Sequence, residues 1–337
     1  MRMSRRLFTP SLAAALAAPA LRPACAEANQ LRAAKQYGLG YLQLVLMEDL
    51  RLVEKHAQAA GLGNVEMTWA TFRSSDVMND ALISGTVDFV CLGLPGIATI
   101  WSRTRGNIDV RGAAGLNALP LYFLTRNPAV NGLRDFTDRD RIALPAVRVS
   151  MQAILLQMAC AREFGPANYG QLDRLTVSMA HPDATAAMLS GASEITAHFT
   201  SPPFHARQLQ NPAIRKLMTS TDILGGRVSF NVLAATNRFR TANPKLYDAF
   251  LAAFEEATAL INADKPRAAE IYRRVTRDPM AQDQLLALIN DPENVYTSDP
   301  LNIGQMVNFM ADTGQIRVRP ERWQDLFFPN MHSRAGA

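Results

Sequence analysis

The chain has 337 residues, of which 48% are hydrophobic and 19% charged, and its formal net charge is +5. These values are typical of a globular protein with one or two domains, and no apolar stretch long enough to span a membrane follows the first 26 residues. Those 26 residues hold four arginines and no acids, so the rest of the chain carries only about +1. Such a near-neutral protein gives little reason to expect nucleic acid or a membrane surface as a partner.

The first 26 residues have the pattern of an export signal. Paired arginines (Arg5 and Arg6) precede an apolar core at residues 12–18, and Ala24-Cys25-Ala26 offers an Ala-x-Ala cleavage site. We therefore expect cleavage near Ala26 and a periplasmic location. The arginine pair resembles a twin-arginine signal, although Sec signals also carry paired basic residues. A cytosolic tail and a lipoprotein anchored at Cys25 are the alternatives.

In chain order, the first part of the mature chain alternates between short apolar runs and longer amphipathic segments. This alternation favours βαβ units and a parallel sheet. The predicted strands span residues 31–36, 65–69, 88–92, 110–114 and 121–125, and the predicted helices span residues 41–60 and 74–84.

The second part repeats this alternation and then becomes helical. Residues 181–183, His-Pro-Asp, are expected to form a turn, and the aromatic segment at residues 322–328 is expected to pack on one lobe. The predicted strands span residues 141–144, 175–179, 195–199 and 229–235, and the predicted helices span residues 151–164, 184–190, 247–263, 266–276 and 281–290.

One local pattern occurs twice, at residues 81–95 and 187–201. Each copy has the end of an apolar helix, a Ser-Gly pair, an acid three residues after the glycine that opens a short strand, and then a loop. Gly85 and Gly191 suit the position after a helix end, where φ is positive. The repeat predicts two similar α/β lobes whose loops, residues 93–96 and 200–203, line a cleft. Chance is the alternative, because Ser-Gly often follows a helix.

These residues resemble the periplasmic solute-binding proteins of ABC importers, in the branch that handles nitrate, taurine and aliphatic sulfonates and includes binders of thiamine-pyrimidine precursors. The likeness covers about residues 30–275, and Ser201 stands where the family often has a tryptophan. The likeness depends on residues 81–89, on Asp135-Phe136 with residues 141–145, on residues 184–191 with Pro203-Phe204, and on residues 243–262.

The resemblance implies an α/β, two-lobed periplasmic-binding-protein fold of type II, in which each lobe is a doubly wound sheet flanked by helices and the ligand cleft lies between the lobes. It implies four parts. They are an export signal at residues 1–26, a first lobe at 27–125, a second lobe at 126–230, and a return to the first lobe with C-terminal helices at 231–337.

The function that the resemblance implies is capture of a small, anionic organic solute, similar to a sulfonate, taurine or nitrate, by hinge closure. The solute then passes to a membrane ABC permease. The receptor is expected to be a monomer with no cofactor, no bound metal and no nucleic-acid partner, and not to be an enzyme. A pyrimidine-synthase-like enzyme and a ligand-sensing partner of a membrane signalling protein are the alternatives. The chain lacks the cysteine- and histidine-rich segment of the synthases.

The candidate ligand-binding residues follow predicted strands or begin predicted helices. Ser150 begins the helix at residues 151–164, where free N–H groups and the positive end of the helix dipole favour an anion, and Ser74 and Ser75 begin another. Plain helix caps are the alternative for these serines. The candidates are Tyr37, Gly38, Leu39, Ser74, Ser75, Gly93, Leu94, Pro95, Asn117, Ser150, Met151, Gln152, Thr200, Ser201 and Pro202.

Other polar groups give weaker signals. Arg73 and Arg148 precede two helix starts and could each hold an oxyanion in a bidentate contact, but the chain has 30 arginines and 5 lysines, so arginine is its usual cation. Cys91 and Cys160 lie in apolar settings that favour buried free thiols, with a disulfide as the alternative.

Overall fold

The computed structural model describes residues 27–334, so the predicted export signal and its cleavage near Ala26 lie outside the described residues. Within this range the strands are β1 (Gln30–Lys35), β2 (Glu66–Thr71), β3 (Phe89–Gly93), β4 (Val110–Ala118), β5 (Tyr122–Thr125), β6 (Ile142–Leu144), β7 (Thr176–Ser178), β8 (Ala197–Thr200), β9 (Arg215–Thr219), β10 (Asn231–Thr236) and β11 (Val295–Tyr296). The helices are α1 (Leu42–Asp49), α2 (Leu52–Ala59), α3 (Ser75–Ile83), α4 (Leu94–Thr104), α5 (Met151–Phe164), α6 (His181–Ser190), α7 (Phe204–Leu209), α8 (Ser220–Leu224), α9 (Asn237–Ala242), α10 (Pro244–Ala263), α11 (Lys265–Thr276), α12 (Gln282–Asn290) and α13 (Gly304–Asp312).

The strands form two sheets of similar design, which we call the first and second lobes together with the helices that flank them. The first sheet has the order β11-β4-β10-β3-β1-β2, and the second has the order β7-β6-β8-β5-β9. In the first sheet β1 runs parallel to β2 and β3, while β10 runs antiparallel between β3 and β4. In the second sheet β6 runs parallel to β7 and β8, while β5 runs antiparallel between β8 and β9. The predicted two-lobed α/β fold is confirmed.

The strand β5 lies in the second sheet, whereas the predicted division after residue 125 places it in the first lobe. Tyr122 pairs with Thr200 on one side and with Thr219 on the other. The chain therefore crosses between the sheets before β5, at Leu119-Pro120, where the proline interrupts the ladder. It crosses back before β10, which is the return strand predicted at residues 229–235.

The helix ends of the doubled pattern fold as the sequence indicates. Gly85 follows α3 with a φ of 72°, and Gly191 follows α6 with a φ of 71°. Both values lie in the left-handed region, where glycine avoids the steric cost of a Cβ atom. The strand β3 that follows the first copy is buried along its whole length, as a strand covered by helices on both faces should be.

Two segments predicted as loop or turn are instead the first turns of helices. Leu94 begins α4 directly after β3, and Pro95 lies in its first turn. His181 begins α6, and Pro182 lies in the first turn of that helix. Proline fits here because its missing N–H would have no partner in the first turn of a helix. The predictions failed because proline marks a helix start as well as a turn.

The long helix predicted at residues 41–60 is interrupted. The helix α1 ends at Asp49 and α2 begins at Leu52, and Arg51 between them has a φ of 51°. The first six residues of α1 are buried, whereas α2 buries only part of its surface. The change of direction at Arg51 lets each helix follow its own surface, which the apolar spacing alone did not reveal.

The aromatic segment near the C-terminus packs on the first sheet, as predicted. The backbone N–H of Phe328 donates to the carbonyl of Gly112 on β4 at 2.8 Å. A Cβ atom on Gly112 would lie only 2.6 Å from the ring of Phe327. The absence of a side chain at Gly112 therefore makes room for this ring.

The two acids of the doubled pattern differ in their contacts, and this difference gives a stability prediction. Asp88 accepts from the backbone N–H of Arg32 at 2.9 Å and from its guanidinium at 2.8 Å and 3.0 Å, which raises the pKa of Arg32. Glu194 is exposed and lies 3.9 Å from Arg141. We expect Asp88→Ala to lower the free energy of unfolding by about 1–2 kcal/mol and Glu194→Ala by less than about 0.5 kcal/mol. Urea unfolding measures both, and equal losses would contradict the assignment.

Two further features of the described residues bear on the predictions. Cys91 and Cys160 are both buried free thiols. Across residues 27–334, no helix combines the length and the apolar character that a membrane crossing requires.

Candidate functional site

A small cavity lies between the two lobes, where β1 and β3 end in the first lobe and α5, α6 and β8 begin or end in the second. Its volume is about 20 Å³, roughly the room that one water needs, so the cleft is closed in this structure. The lining residues are Gln36, Tyr37, Tyr41, Ser75, Gly93, Pro145, Ser150, Met151, Gln152, His181, Ser201, Phe230 and Asn231.

The structure brings seven of the candidate residues to this cavity. Gly93 ends β3 and Ser201 follows β8, so the ends of these two strands reach the cavity from opposite lobes. Contact of these side chains with a solute stays a prediction. The seven residues are Tyr37, Ser75, Gly93, Ser150, Met151, Gln152 and Ser201.

Three other candidates form a direct contact between the lobes. The backbone N–H of Leu39 in the first lobe donates to the carbonyl of Pro202 in the second at 2.9 Å. Gly38 has a φ of 105°, and a Cβ atom placed there would lie 2.8 Å from the same carbonyl oxygen. These residues hold the lobes together at the rim of the cavity and do not line it.

The remaining candidates lie in the walls behind the cavity. The hydroxyl of Ser74 donates to Asp76, the backbone N–H of Leu94 donates to the carbonyl of Phe230, and the amide of Asn117 donates to the carbonyl of Gly40. Pro95 and Thr200 are buried as well. Their side chains support the backbone of the cleft.

The first turns of α3 and α5 reach the cavity from opposite lobes, and α4 begins next to Gly93. Ser150 caps α5, because its hydroxyl accepts from Ala153 at 3.3 Å and donates to Ala146 at 2.7 Å. Ser75 accepts from the backbone N–H of Gly93 at 3.3 Å. Free N–H groups and aligned peptide dipoles make each helix start electropositive. An anion at this place would be stabilised mainly by α3 and α5, because in α4 the N–H of Leu94 donates to Phe230 and Pro95 has no N–H. Asp76 in the first turn of α3 offsets part of the effect.

No lysine, arginine, aspartate or glutamate is among the residues that line the cavity. Arg73 is exposed, and Arg148 lies 3.9 Å from Asp173 in an outer groove, so neither lines the cleft as was suggested. The available donors are neutral hydroxyl, amide and backbone groups. Burial lowers the pKa of His181 to about 3, so this side chain is also neutral near pH 7.

The floor of the cavity comes from a strand that sequence analysis did not connect with the site. Asn231 on β10 donates to the carbonyl of Gly40 at 3.0 Å, and the amide of Asn117 donates to the same oxygen at 2.8 Å. The hydroxyl of Tyr41 lies 3.5 Å from Asn231. A Cβ atom on Gly40 would lie 2.7 Å from the ring of Phe230, so this glycine permits the close packing.

Six lining residues were missed by the sequence analysis. Gln36 ends the predicted first strand and could have been found by the same rule that selected Tyr37. Phe230 and Asn231 come from the return strand, about 190 residues from Tyr41, and no local pattern indicates this pairing. The other three missed residues are Tyr41, Pro145 and His181.

A wider groove adjoins the cavity and shares Gln36 and Tyr37 with it. Its volume is about 420 Å³. Four of its charged side chains form two pairs, with Lys35 contacting Glu48 and Arg207 contacting Asp278, and Arg277 adds a fifth charged side chain. Its walls also include apolar residues. Those apolar residues include Val45, Phe204 and Val275.

The described residues include no group of three or more histidine, cysteine, aspartate or glutamate side chains placed to hold a metal ion. The two cysteine thiols are unsuited to nucleophilic chemistry at neutral pH, because burial raises the pKa of Cys160 to about 12 and that of Cys91 well above its usual value.

No family model matches the sequence, and no curated protein matches it. Solved structures do match the chain. The chain is similar to the alkanesulfonate-binding protein SsuA from Xanthomonas axonopodis pv. citri bound to MOPS, at 16% identity and a TM-score of 0.70, over 88% of this chain and 96% of that one.

Two other solved structures also have a similar fold. The periplasmic aliphatic sulphonate binding protein SsuA from Escherichia coli has 18% identity and a TM-score of 0.63, over 88% of this chain and 98% of that one. The periplasmic nitrate-binding protein NrtA from Synechocystis PCC 6803 has 14% identity and a TM-score of 0.60, over 80% of this chain and 74% of that one. The periplasmic-binding-protein fold that the sequence indicates is confirmed. These neighbours are sulfonate- and nitrate-binding proteins.

Proposed function

We propose that this chain is the solute-binding component of an ABC-type importer, and that it captures a small organic anion between its lobes in the periplasm. One observation carries the proposal. The starts of α3, α4 and α5 meet at a cavity that is lined by hydroxyl and amide groups from both lobes. The similarity of the fold to periplasmic solute-binding proteins supports it. The predicted export signal supports the location, and delivery to a permease by a monomer stays an expectation.

A neutral site with electropositive helix starts favours an anion that is held by hydrogen bonds. Such a site gives oxyanions many donors without the strong desolvation cost of a buried cation. The adjoining groove has apolar walls and offers space for an organic tail. A sulfonate or carboxylate with a short organic tail fits this arrangement better than nitrate does, because nitrate has no tail to place in the groove.

Hinge closure is part of this proposal, and the same geometry supports it. The cavity holds about one water, and the contact between Leu39 and Pro202 seals its rim, so a solute of several atoms enters only when the lobes separate. A solute that contacts both lobes then shifts the equilibrium towards the closed form.

The proposal is tested by measuring thermal stabilisation of the purified mature protein by a panel of solutes. The panel contains methanesulfonate, butanesulfonate, taurine, nitrate, acetate, butyrate and a neutral aminopyrimidine. A ligand at 100 times its dissociation constant should add about 2.7 kcal/mol to the free energy of unfolding. We expect the tailed sulfonates or carboxylates to stabilise most. Stabilisation by the aminopyrimidine alone, or by no member of the panel, would refute the proposed solute class.

Ser201 gives a sharper prediction within the site. Its hydroxyl is buried at the cavity and has no hydrogen-bond partner among the described residues. Removing it with Ser201→Ala should change the free energy of unfolding by less than about 0.5 kcal/mol, yet weaken binding of the stabilising anion about 5–10-fold. Isothermal titration calorimetry measures the affinity.

Thr200 provides the matched control for this substitution. Its hydroxyl is also buried without a partner among the described residues, but it does not line the cavity. Thr200→Val should leave the affinity unchanged. If both variants bind as the wild type does, Ser201 is not a ligand contact.

A further inference from the structure

A chain of buried polar side chains leads from the cavity into the core of the second lobe. The side-chain nitrogen of Gln152 lies 3.2 Å from Nε2 of His181, Nδ1 of His181 lies 3.0 Å from Nε2 of His198, and Nδ1 of His198 lies 2.8 Å from the side-chain nitrogen of Gln208. The amide nitrogen of Gln208 also donates to Thr185 at 3.1 Å. Gln152 and His181 line the cavity, whereas His198 and Gln208 are completely buried. We call these four residues the histidine relay.

The two imidazoles are neutral, which fixes how many protons the histidine relay holds. Burial lowers the pKa of His181 to about 3 and that of His198 well below its usual value. A neutral imidazole has one N–H and one acceptor nitrogen, so two rings supply two protons for the three contacts. The third proton must come from one glutamine, and the other glutamine must accept with its oxygen. The relay therefore has a single direction from end to end.

The surroundings of Gln208 decide this direction. The side-chain nitrogen of Gln208 donates to His198 and to Thr185. In this orientation only the side-chain oxygen of Gln208 has no hydrogen-bond partner among the described residues. The reverse orientation would leave the NH₂ group without one, and a buried donor without a partner is rarer in proteins than an under-used carbonyl oxygen. Gln208 is thus the donor, and both histidines carry their proton on Nε2. Gln152 must then accept with its oxygen, so its amide is turned by a half-turn from the orientation in which its nitrogen faces His181.

We propose that the histidine relay fixes the amide of Gln152 with its oxygen on His181 and its NH₂ group towards the cavity, which makes Gln208, through the two histidines, a positioning residue for anion selectivity. The nitrogen and oxygen of an amide exchange places by a half-turn, so without the relay Gln152 presents either one to the solute. With the relay it presents donors. A solute with oxyanion acceptors is then favoured over one that offers N–H donors at this position.

This inference rests on the proposed capture of an anion, but its first test needs no ligand. Imidazole ¹⁵N chemical shifts in the ligand-free protein at pH 7 distinguish the two neutral tautomers from the cation. We expect both His181 and His198 to carry the proton on Nε2. A proton on Nδ1 of either ring, or an imidazolium at either position, would overturn the direction that we assign. The tautomers can be measured even if no anion of the panel binds. The assigned direction of the histidine relay and the proposed function can therefore be refuted independently of each other.

The second test measures affinity for whichever panel anion binds, with methanesulfonate as the first probe. Gln208→Leu removes the donor at the buried end and changes no residue of the cavity, and we expect about 3–10-fold weaker binding together with loss of the single-tautomer signature of His198. The control is His205→Phe, a neighbouring buried histidine outside the relay, which should bind as the wild type does. Unchanged affinity in Gln208→Leu would overturn the role in selectivity. If that variant fails to fold, the tautomers of the wild type still decide the direction.

Discussion

Lowering the pH from 7 to 5 should reduce the free energy of unfolding by about 6 kcal/mol, because three histidines are buried in their neutral form. Burial lowers the pKa of His181 and His205 to about 3 and that of His198 well below its usual value, and the charge of Lys216 adds to the effect at His205. In the unfolded chain these residues take up protons near 6.5. The unfolded state then binds more protons than the folded state, so stability is complete above that value and is lost as the pH falls below it.

Each buried histidine contributes about 2 kcal/mol to this loss between pH 7 and pH 5. The total is comparable with the whole stability of many domains, so partial acid unfolding near pH 5 is expected. The carboxyl groups with lowered pKa, such as Asp140 and Asp222, lose their contribution only below about pH 4 and stay out of this window. Urea unfolding at intervals between pH 5 and pH 8 measures the slope.

His205→Phe provides the control for the acid effect. His205 stacks on Tyr122 with ring centroids 4.2 Å apart, and its Nδ1 has no hydrogen-bond partner among the described residues. Phenylalanine keeps the stacking and removes the titrating group, so the variant should lose about 2 kcal/mol less than the wild type over the same range. A wild-type stability that stays level from pH 7 to pH 5, or a variant with the same slope, would contradict the explanation.

Gly38→Ala should weaken solute binding at least about 10-fold, because it obstructs closure of the cleft. The added Cβ atom would lie 2.8 Å from the carbonyl oxygen of Pro202 and 3.1 Å from the ring of Phe204, both in the opposite lobe. The overlap exists only when the lobes meet, so it penalises the closed form alone. The backbone strain of alanine at a φ of 105° is present in the open and the closed form and does not itself change the affinity. A tenfold change corresponds to about 1.4 kcal/mol, which is modest for such an overlap. Calorimetric titration with the stabilising anion measures the loss.

The matched control separates closure from backbone strain. Gly61 also has a positive φ, of 75°, but a Cβ atom placed there would meet nothing within 4 Å. Gly61→Ala therefore carries the strain of a left-handed residue, about 1–2 kcal/mol, without any contact between the lobes. It should lower the unfolding temperature and leave the affinity unchanged. Equal affinity in the two variants would argue against closure at Gly38.

Much of the fold was predictable from local patterns. The helix α5 was predicted with its observed ends, and β1, β3 and β8 were predicted to within two residues. These segments have apolar spacing and turn residues that act over a few neighbours, such as Gly85 and Gly191 at the helix ends. The misassigned segments at Pro95 and Pro182 show the limit of this approach, because the same residue begins helices and turns.

The sequence by itself determined the class of the protein, two α/β lobes, because helix periodicity, buried strands and glycine at helix ends are local properties. Only the tertiary structure decided which polar groups share the cavity. The return strand brings Asn231 to Tyr41, and α6 brings His181 to Gln152. The tertiary structure also shows that no lysine, arginine, aspartate or glutamate lines the cavity and that Arg148 lines a different groove. The physical reason is that a binding site is made by contacts between segments far apart in the chain, and their side-chain directions depend on how the two sheets pack across the crossing segments.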